Sequence, residues 1–102
     1  MGLLDLFGLG RKSENIQEYM TRGAVIIDVR TSGEFREGHI KNSKNIALDT
    51  ISNKIQEIKN LKKPIIVCCR SGMRSSQAAT ILKNHGIEVI NGGGWESLRN
   101  KL

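Results

Sequence analysis

Four short segments of the chain read as β-strands: Ala24–Asp28, Lys44–Leu48, Ile65–Cys68 and Ile87–Asn91. Two of them, Ala24–Asp28 and Ile65–Cys68, are apolar runs rich in β-branched residues and too brief for helices, the pattern of strands buried on both faces. Helical segments separate them. Ser13 is a plausible N-cap for a helix through Ile16, Tyr19 and Met20 that Gly23 ends. Thr31 and Glu34 have the T-x-x-E spacing of a capping box, predicting a short helix closed by Gly38. Asp49 is placed to cap a helix whose apolar face is Ile51, Ile55 and Ile58. Pro64 opens the third strand, Ser71–Gly72 breaks it, and a helix with Ala78, Ala79, Ile81 and Leu82 on its packing side runs to Gly86. Gly92–Gly94 reads as a turn, and Trp95–Leu102 as a final helix. Strands alternating with helices imply an α/β fold: a parallel sheet with helices on both faces. Such sheets bind ligands beyond the C-terminal ends of their strands, where Asp28, Arg30 and Cys69 all fall.

A chain of 102 residues makes one domain. We divide it into an N-terminal extension, residues 1–12, and a domain spanning 13–102. The opening apolar stretch is not read as a secretory signal, because nothing positive precedes it and Asp5 interrupts it. It is read as a short segment that docks on the domain or frays, with a peripheral membrane or partner anchor as the sharper alternative. No apolar run approaches the roughly 20 residues of a membrane span. The net charge of +6 is explained by lysines spread over a solvated surface, which would still attract anions. Aromatic residues make up only 4%, so there is no stacking platform for nucleic acid. The two cysteines, Cys68 and Cys69, are adjacent, which excludes a disulfide scaffold. The histidines, His39 and His85, lie elsewhere, so no metal site is expected. These features suit a cytoplasmic monomer.

The segment from Cys69 to Arg74 is the most informative. A buried strand ends at a cysteine, and Arg70-Ser71-Gly72-Met73-Arg74 lead into a helix. Unpaired amides at a helix start carry the positive end of its dipole. A cysteine there ionises more easily and becomes the better nucleophile. Gly72 lets the loop curl so that its amides converge, and Arg70 and Arg74 add positive charge. An anion cradle around a thiolate is therefore expected. Cys68, continuing the apolar strand, is expected to be a buried inert thiol.

From about Ser13 to Lys101 the chain resembles the rhodanese family, the single-domain sulfurtransferases. Three stretches carry the resemblance. Asp28-Val-Arg30, Glu34-Phe35 and Gly38-His39-Ile40 match D-V-R … E-F … G-H-I. The loop CRSGMRS matches C-x-x-G-x-R-S, and Asn91-Gly-Gly-Gly-Trp95 matches the glycine segment and aromatic before the last helix. The resemblance implies a three-layer α/β fold with four to five short parallel strands. It also implies a catalytic Cys69 that takes sulfur from thiosulfate or a persulfide and passes it, as a persulfide, to a thiophilic acceptor such as cyanide, a thiol or a protein partner. Arg70 and Arg74 would bind the anionic donor, and the amides from Arg70 through Ser71, Gly72 and Met73 to Arg74 would hold the persulfide. No cofactor is implied. Asp28, Arg30, His39 and Trp95 read as structural. The family's first strand has only Gly8–Lys12 to draw on here.

Two rivals stay open. A cysteine phosphatase or arsenate reductase needs five residues between cysteine and arginine. Counted from Cys68 the string fits, with Ser75 after Arg74; counted from Cys69 there are four. Gly72, three residues after Cys69, favours the Cys69 register. The other rival is a non-catalytic binding module of the same fold.

Overall fold

The computed structural model describes residues 15–102. The extension and Ser13 lie outside them, as does the Gly8–Lys12 strand candidate. The elements run α1 (Ile16–Thr21), β1 (Val25–Asp28), α2 (Ser32–Glu37), β2 (Lys44–Asn45), a 3-10 helix (Leu48–Lys54), α3 (Ile55–Asn60), β3 (Ile65–Cys69), α4 (Met73–Asn84), β4 (Val89–Gly94) and α5 (Trp95–Arg99). Among the described residues the sheet has four strands in the order β2-β1-β3-β4, all parallel. No helix among the described residues is long and apolar enough to cross a membrane.

β3 is central and every residue in it is buried. Its alternate side chains enter two separate cores. Ile65, Val67 and Cys69 join Ile51, Ile58, Ala78, Leu82 and Val89 on the face covered by α3 and α4. Ile66 and Cys68 join Tyr19, Ile90 and Leu98 on the face covered by α1 and α5. Because strand side chains alternate, adjacent cysteines must take opposite faces. Only Cys69 lies on the side of α4.

Local chemistry explains most boundaries. The Thr31–Glu34 capping box forms as expected, with both reciprocal bonds present. Other boundaries differ from the sequence expectation. The first helix is capped by Asn15, whose side chain accepts from the amides of Gln17 and Glu18. The second strand stops at Asn45, not Leu48. There the Asn45 side-chain amide bonds the carbonyls of Asp28 and Arg30, and the chain turns into the 3-10 helix. Asp49 caps nothing, since it sits inside the first turn of that helix, which begins after Ala47. The last helix ends at Arg99.

Gly92–Gly94 is not a turn. It extends β4 to Gly94, with a register shift that pairs Val67 with Asn91 but Cys68 with Gly93. The extra residue, Gly92, is a β-bulge. A Cβ on Gly92 would lie 2.8 Å from Ile66 Cγ2 and 2.9 Å from Leu98 Cδ2. The strand carries glycine there because its backbone is pressed against the core.

At the C-terminal end of β1, Asp28 and Arg30 form a buried ion pair. Arg30 Nη2 lies 2.8 Å from Asp28 Oδ2 and also donates to the Gly38 carbonyl at 2.6 Å. The guanidinium carbon is 4.7 Å from the Trp95 ring centroid, and Arg99 lies 4.9 Å from the same ring. Trp95 is half-buried rather than fully core. His39 stacks on Phe35 at 3.7 Å, and its Nδ1 is 2.7 Å from the Phe35 carbonyl oxygen, a packed histidine as expected. Removing one partner of a buried pair strands the other charge, so Arg30→Ala should lower stability by ~3–5 kcal/mol. Urea denaturation measures this, and a loss below about 1 kcal/mol would show that Asp28 does not depend on its partner.

Candidate active site

The Cys69 side chain ends β3 beneath the start of α4. Gly72 N–H donates to its Sγ at 3.0 Å, and the Ser75 amide does so at 3.4 Å. The Ser75 hydroxyl oxygen is also 3.4 Å from the sulfur. Gly72 has φ +100°, the left-handed conformation that turns its amide inward. Cys69 is only 1% exposed. Burial alone would raise its pKa. Hydrogen bonds from the Ser75 hydroxyl and the amides of Ser75, Gly72 and Ser71 outweigh it, so the thiol lies below its ordinary 9.0. Cys68 has no such donors. Burial first, then the neighbouring Asp28, pushes it up to about 12.

The loop is braced on two sides. From α2, Glu34 meets Arg74 in a forked pair of 2.8 and 3.1 Å. Hydrogen bonding to Arg74, and next to the Thr31 backbone, holds the Glu34 carboxyl down at about 2. From β4, a Cβ on Gly94 would lie 2.8 Å from the Arg70 carbonyl oxygen, and one on Gly72 would lie 3.3 Å from Gly93 Cα. Two backbones therefore run in direct contact, which side chains would prevent. The Asn91 side chain reaches the same loop.

Of the sequence-predicted site residues, Cys69, Gly72 and Arg74 converge as a unit. Arg70 and Ser71 are exposed, and Met73 is 74% exposed. Arg70 makes no ion pair among the described residues and lines a cleft of about 200 Å³ with Arg30, Glu34, Glu37, Trp95 and Glu96. Arg74 does not stand open to a ligand as Arg70 does, because Glu34 engages its guanidinium. Sequence reasoning overlooked Ser75, Asn91 and the second role of Glu34. Ser75 was within reach, since it is the third residue of α4, where amides are unpaired.

A parallel α/β sheet here carries a thiol held below its ordinary pKa under the start of a helix, an arrangement that suits a nucleophile. Comparison with known proteins makes this specific. Residues 12–101 match the Rhodanese-like domain family model. The chain belongs to that family. It is 36% identical over 83 residues to the uncharacterized protein YqhL of Bacillus subtilis, covering 79% of this chain and 65% of that one. It is 34% identical over 88 residues to the thiosulfate sulfurtransferase GlpE of Pseudomonas syringae, covering 84% and 82% respectively. The structure of reduced Bacillus anthracis CoADR-RHD is similar at TM-score 0.71 and 35% identity, over 83% of this chain and 15% of that one. The chain thus spans under two thirds of the first of these relatives, and a small part of the solved chain.

Two measurements test the geometry. Iodoacetamide should alkylate Cys69 below pH 9 and leave Cys68 unmodified in the folded protein; peptide mapping reads both, and preferential labelling of Cys68 would reverse the assignment. A carboxyl lowered by folding stabilises above its unfolded pKa and loses that contribution as pH falls. Glu34→Gln should therefore melt below wild type at pH 6, with the gap narrowing from about pH 4.5 toward about 2.

Proposed function

We propose that the protein is a sulfurtransferase that moves sulfane sulfur through a persulfide on Cys69. The observation that carries this reading is the set of donors converging on Cys69 Sγ from Gly72 and Ser75. The Cys69 thiolate attacks the outer sulfur of thiosulfate. A new S–S bond forms, the old one breaks, and sulfite leaves with the bonding pair. With a persulfide donor R–S–SH, R–S⁻ leaves and takes up the donor's proton. A thiophilic acceptor, cyanide or a thiol, then attacks the terminal sulfur and regenerates the thiolate, a ping-pong cycle.

Near-complete burial of Cys69 favours a donor whose reactive atom leads into the loop, as sulfane sulfur does. Amides of Ser71, Gly72 and Met73 hold the persulfide charge, and exposed Arg70 meets the anionic end of the donor. Arg74 contributes charge to the loop while its bond to Glu34 keeps the loop in place. The phosphatase register requires Cys68 as nucleophile. That thiol faces the opposite core and ionises only near 12, so no observation favours it.

Intact-mass analysis after incubation with thiosulfate tests the proposal. Wild type should gain one sulfur atom and lose it on adding cyanide. Cys69→Ser should gain none, and Cys68→Ser should behave as wild type. No gain in wild type, with thiosulfate or with a small-thiol persulfide, would favour the binding-module reading. A gain surviving in Cys69→Ser would move the chemistry to Cys68.

A further inference from the structure

Asn91 lies outside the cysteine loop, on the neighbouring strand. It pairs with Val67, two residues before Cys69, and follows Val89 by two. Val67, Cys69 and Val89 all belong to the core under α4, so strand alternation puts Asn91 on that face, next to the sulfur. Its amide makes three bonds. Oδ1 accepts from the Ser75 hydroxyl at 2.7 Å and from Gly93 N–H at 2.9 Å, and Nδ2 donates to the Gly72 carbonyl at 3.0 Å. The orientation is unambiguous: a flipped amide would set N–H₂ against the Gly93 N–H and oxygen against the Gly72 carbonyl.

Of the groups Asn91 holds, the Ser75 hydroxyl contacts the sulfur itself, and the Gly72 carbonyl belongs to the residue whose own N–H bonds it. Gly72 gives the shortest bond to Sγ, and the fully buried Ser75 contacts Sγ through both its amide and its hydroxyl. A hydroxyl has one proton, and Asn91 Oδ1 can only accept. While Ser75 donates to Asn91, its oxygen turns a lone pair toward Sγ, which suits a thiol donating S–H. When the sulfur is charged, the hydroxyl can instead rotate to point its proton at Sγ, which lies 3.4 Å from the oxygen.

We propose that Asn91 is a positioning residue for Cys69: by holding the Gly72 carbonyl and the Ser75 hydroxyl it fixes the orientation of Gly72, and so sets how readily the sulfur carries negative charge. The Glu34–Arg74 pair and the β4 glycines brace the loop, but Arg70, Ser71 and Met73 are exposed, and among the described residues Asn91 is the side chain on β4 that bonds Gly72. The charged and titratable groups around Cys69 are Arg70 on the loop, Arg74 on α4 with Glu34 of α2, Asp28 and Arg30 at the C-terminal end of β1, Glu37 and Glu96 across the cleft, and Cys68 on the other face. β4 contributes no charge, so the effect of Asn91 is geometric rather than electrostatic.

The test is the pH dependence of iodoacetamide alkylation of Cys69, in full-length protein with Cys68→Ser as the common background, well below each variant's melting temperature. This readout needs no sulfur transfer, so it stands or falls apart from the proposed activity. Asn91→Ala frees the Ser75 proton for the sulfur but releases Gly72, whose N–H makes the shorter bond, so the loss dominates: the alkylation midpoint should shift upward by about one pH unit and the reaction at pH 7 should slow about tenfold. Asn91→Asp keeps both accepted bonds but loses the donor to Gly72 and adds a negative charge. Its midpoint should also rise, by an amount that shrinks with added salt, and it serves if Asn91→Ala does not fold. Ser75→Ala combined with Asn91→Ala should slow the reaction by less than the product of the two single effects, because the two residues act partly through one bond. A purely structural Asn91 would lower the melting temperature and leave the pH profile of the folded protein at the wild-type midpoint. That result, or single effects that multiply fully, would overturn the proposal.

Discussion

The site depends on how closely the β4 backbone approaches the loop after β3. Gly94 lies against Arg70 with no room for a side chain, and Gly72 lies tightly against the Gly93 Cα. That contact holds the Gly72 peptide where its N–H meets Cys69 Sγ. A loop without this support would gain conformational entropy by letting its amides turn to water. The thiolate would then lose the donors that offset its burial. The same closeness explains the β-bulge at Gly92, which realigns the strand as it passes from paired sheet to loop support.

The stretches of sequence that carry the family resemblance are physically joined. Arg30, from the first, bonds the Gly38 carbonyl and lies over Trp95, from the third. Glu34, also from the first, holds Arg74 from the second. Gly72 of the second packs against Gly93 of the third. Three separated segments thus form one continuous support around a single sulfur. Neutral pairs do much of this work, so the net charge of +6 is not concentrated at the cysteine. A basic groove of about 530 Å³, lined by Arg22, Lys59, Lys62, Lys63 and His85, includes Pro64 and Glu88 where β3 and β4 begin, at the opposite end of the sheet. Stabilisation of the sulfur anion therefore comes from short-range amide dipoles, which salt screens less than surface charges.

Much of this was legible from residues alone. β-branched runs marked β1 and β3, and the Thr31–Glu34 spacing marked the start of α2, because each is a local preference. Cys69 was legible because a strand, a glycine-bearing loop and a helix start meet there within a few residues. Glycines misled where their cause was not local. Gly92–Gly94 resembles a turn in isolation, yet the structure uses it as strand because the core and the loop crowd that backbone. Asn45 and Asn15 took roles that the reading gave to no residue or to Ser13, since a polar side chain bonds whichever backbone group the fold leaves open.

The sequence by itself determined the alternation of strands and helices, the helix-start loop that follows Cys69 and the opposite faces of two adjacent cysteines, because periodicity and helix-start chemistry act over a few residues. Only the tertiary structure decided that Arg74 is held by Glu34, that Asn91 clamps the loop, and that the glycine segment is a close-packed strand. These are contacts between residues 16 to 40 positions apart, and they exist only once the parallel register brings β4 and α2 to the same end of the sheet.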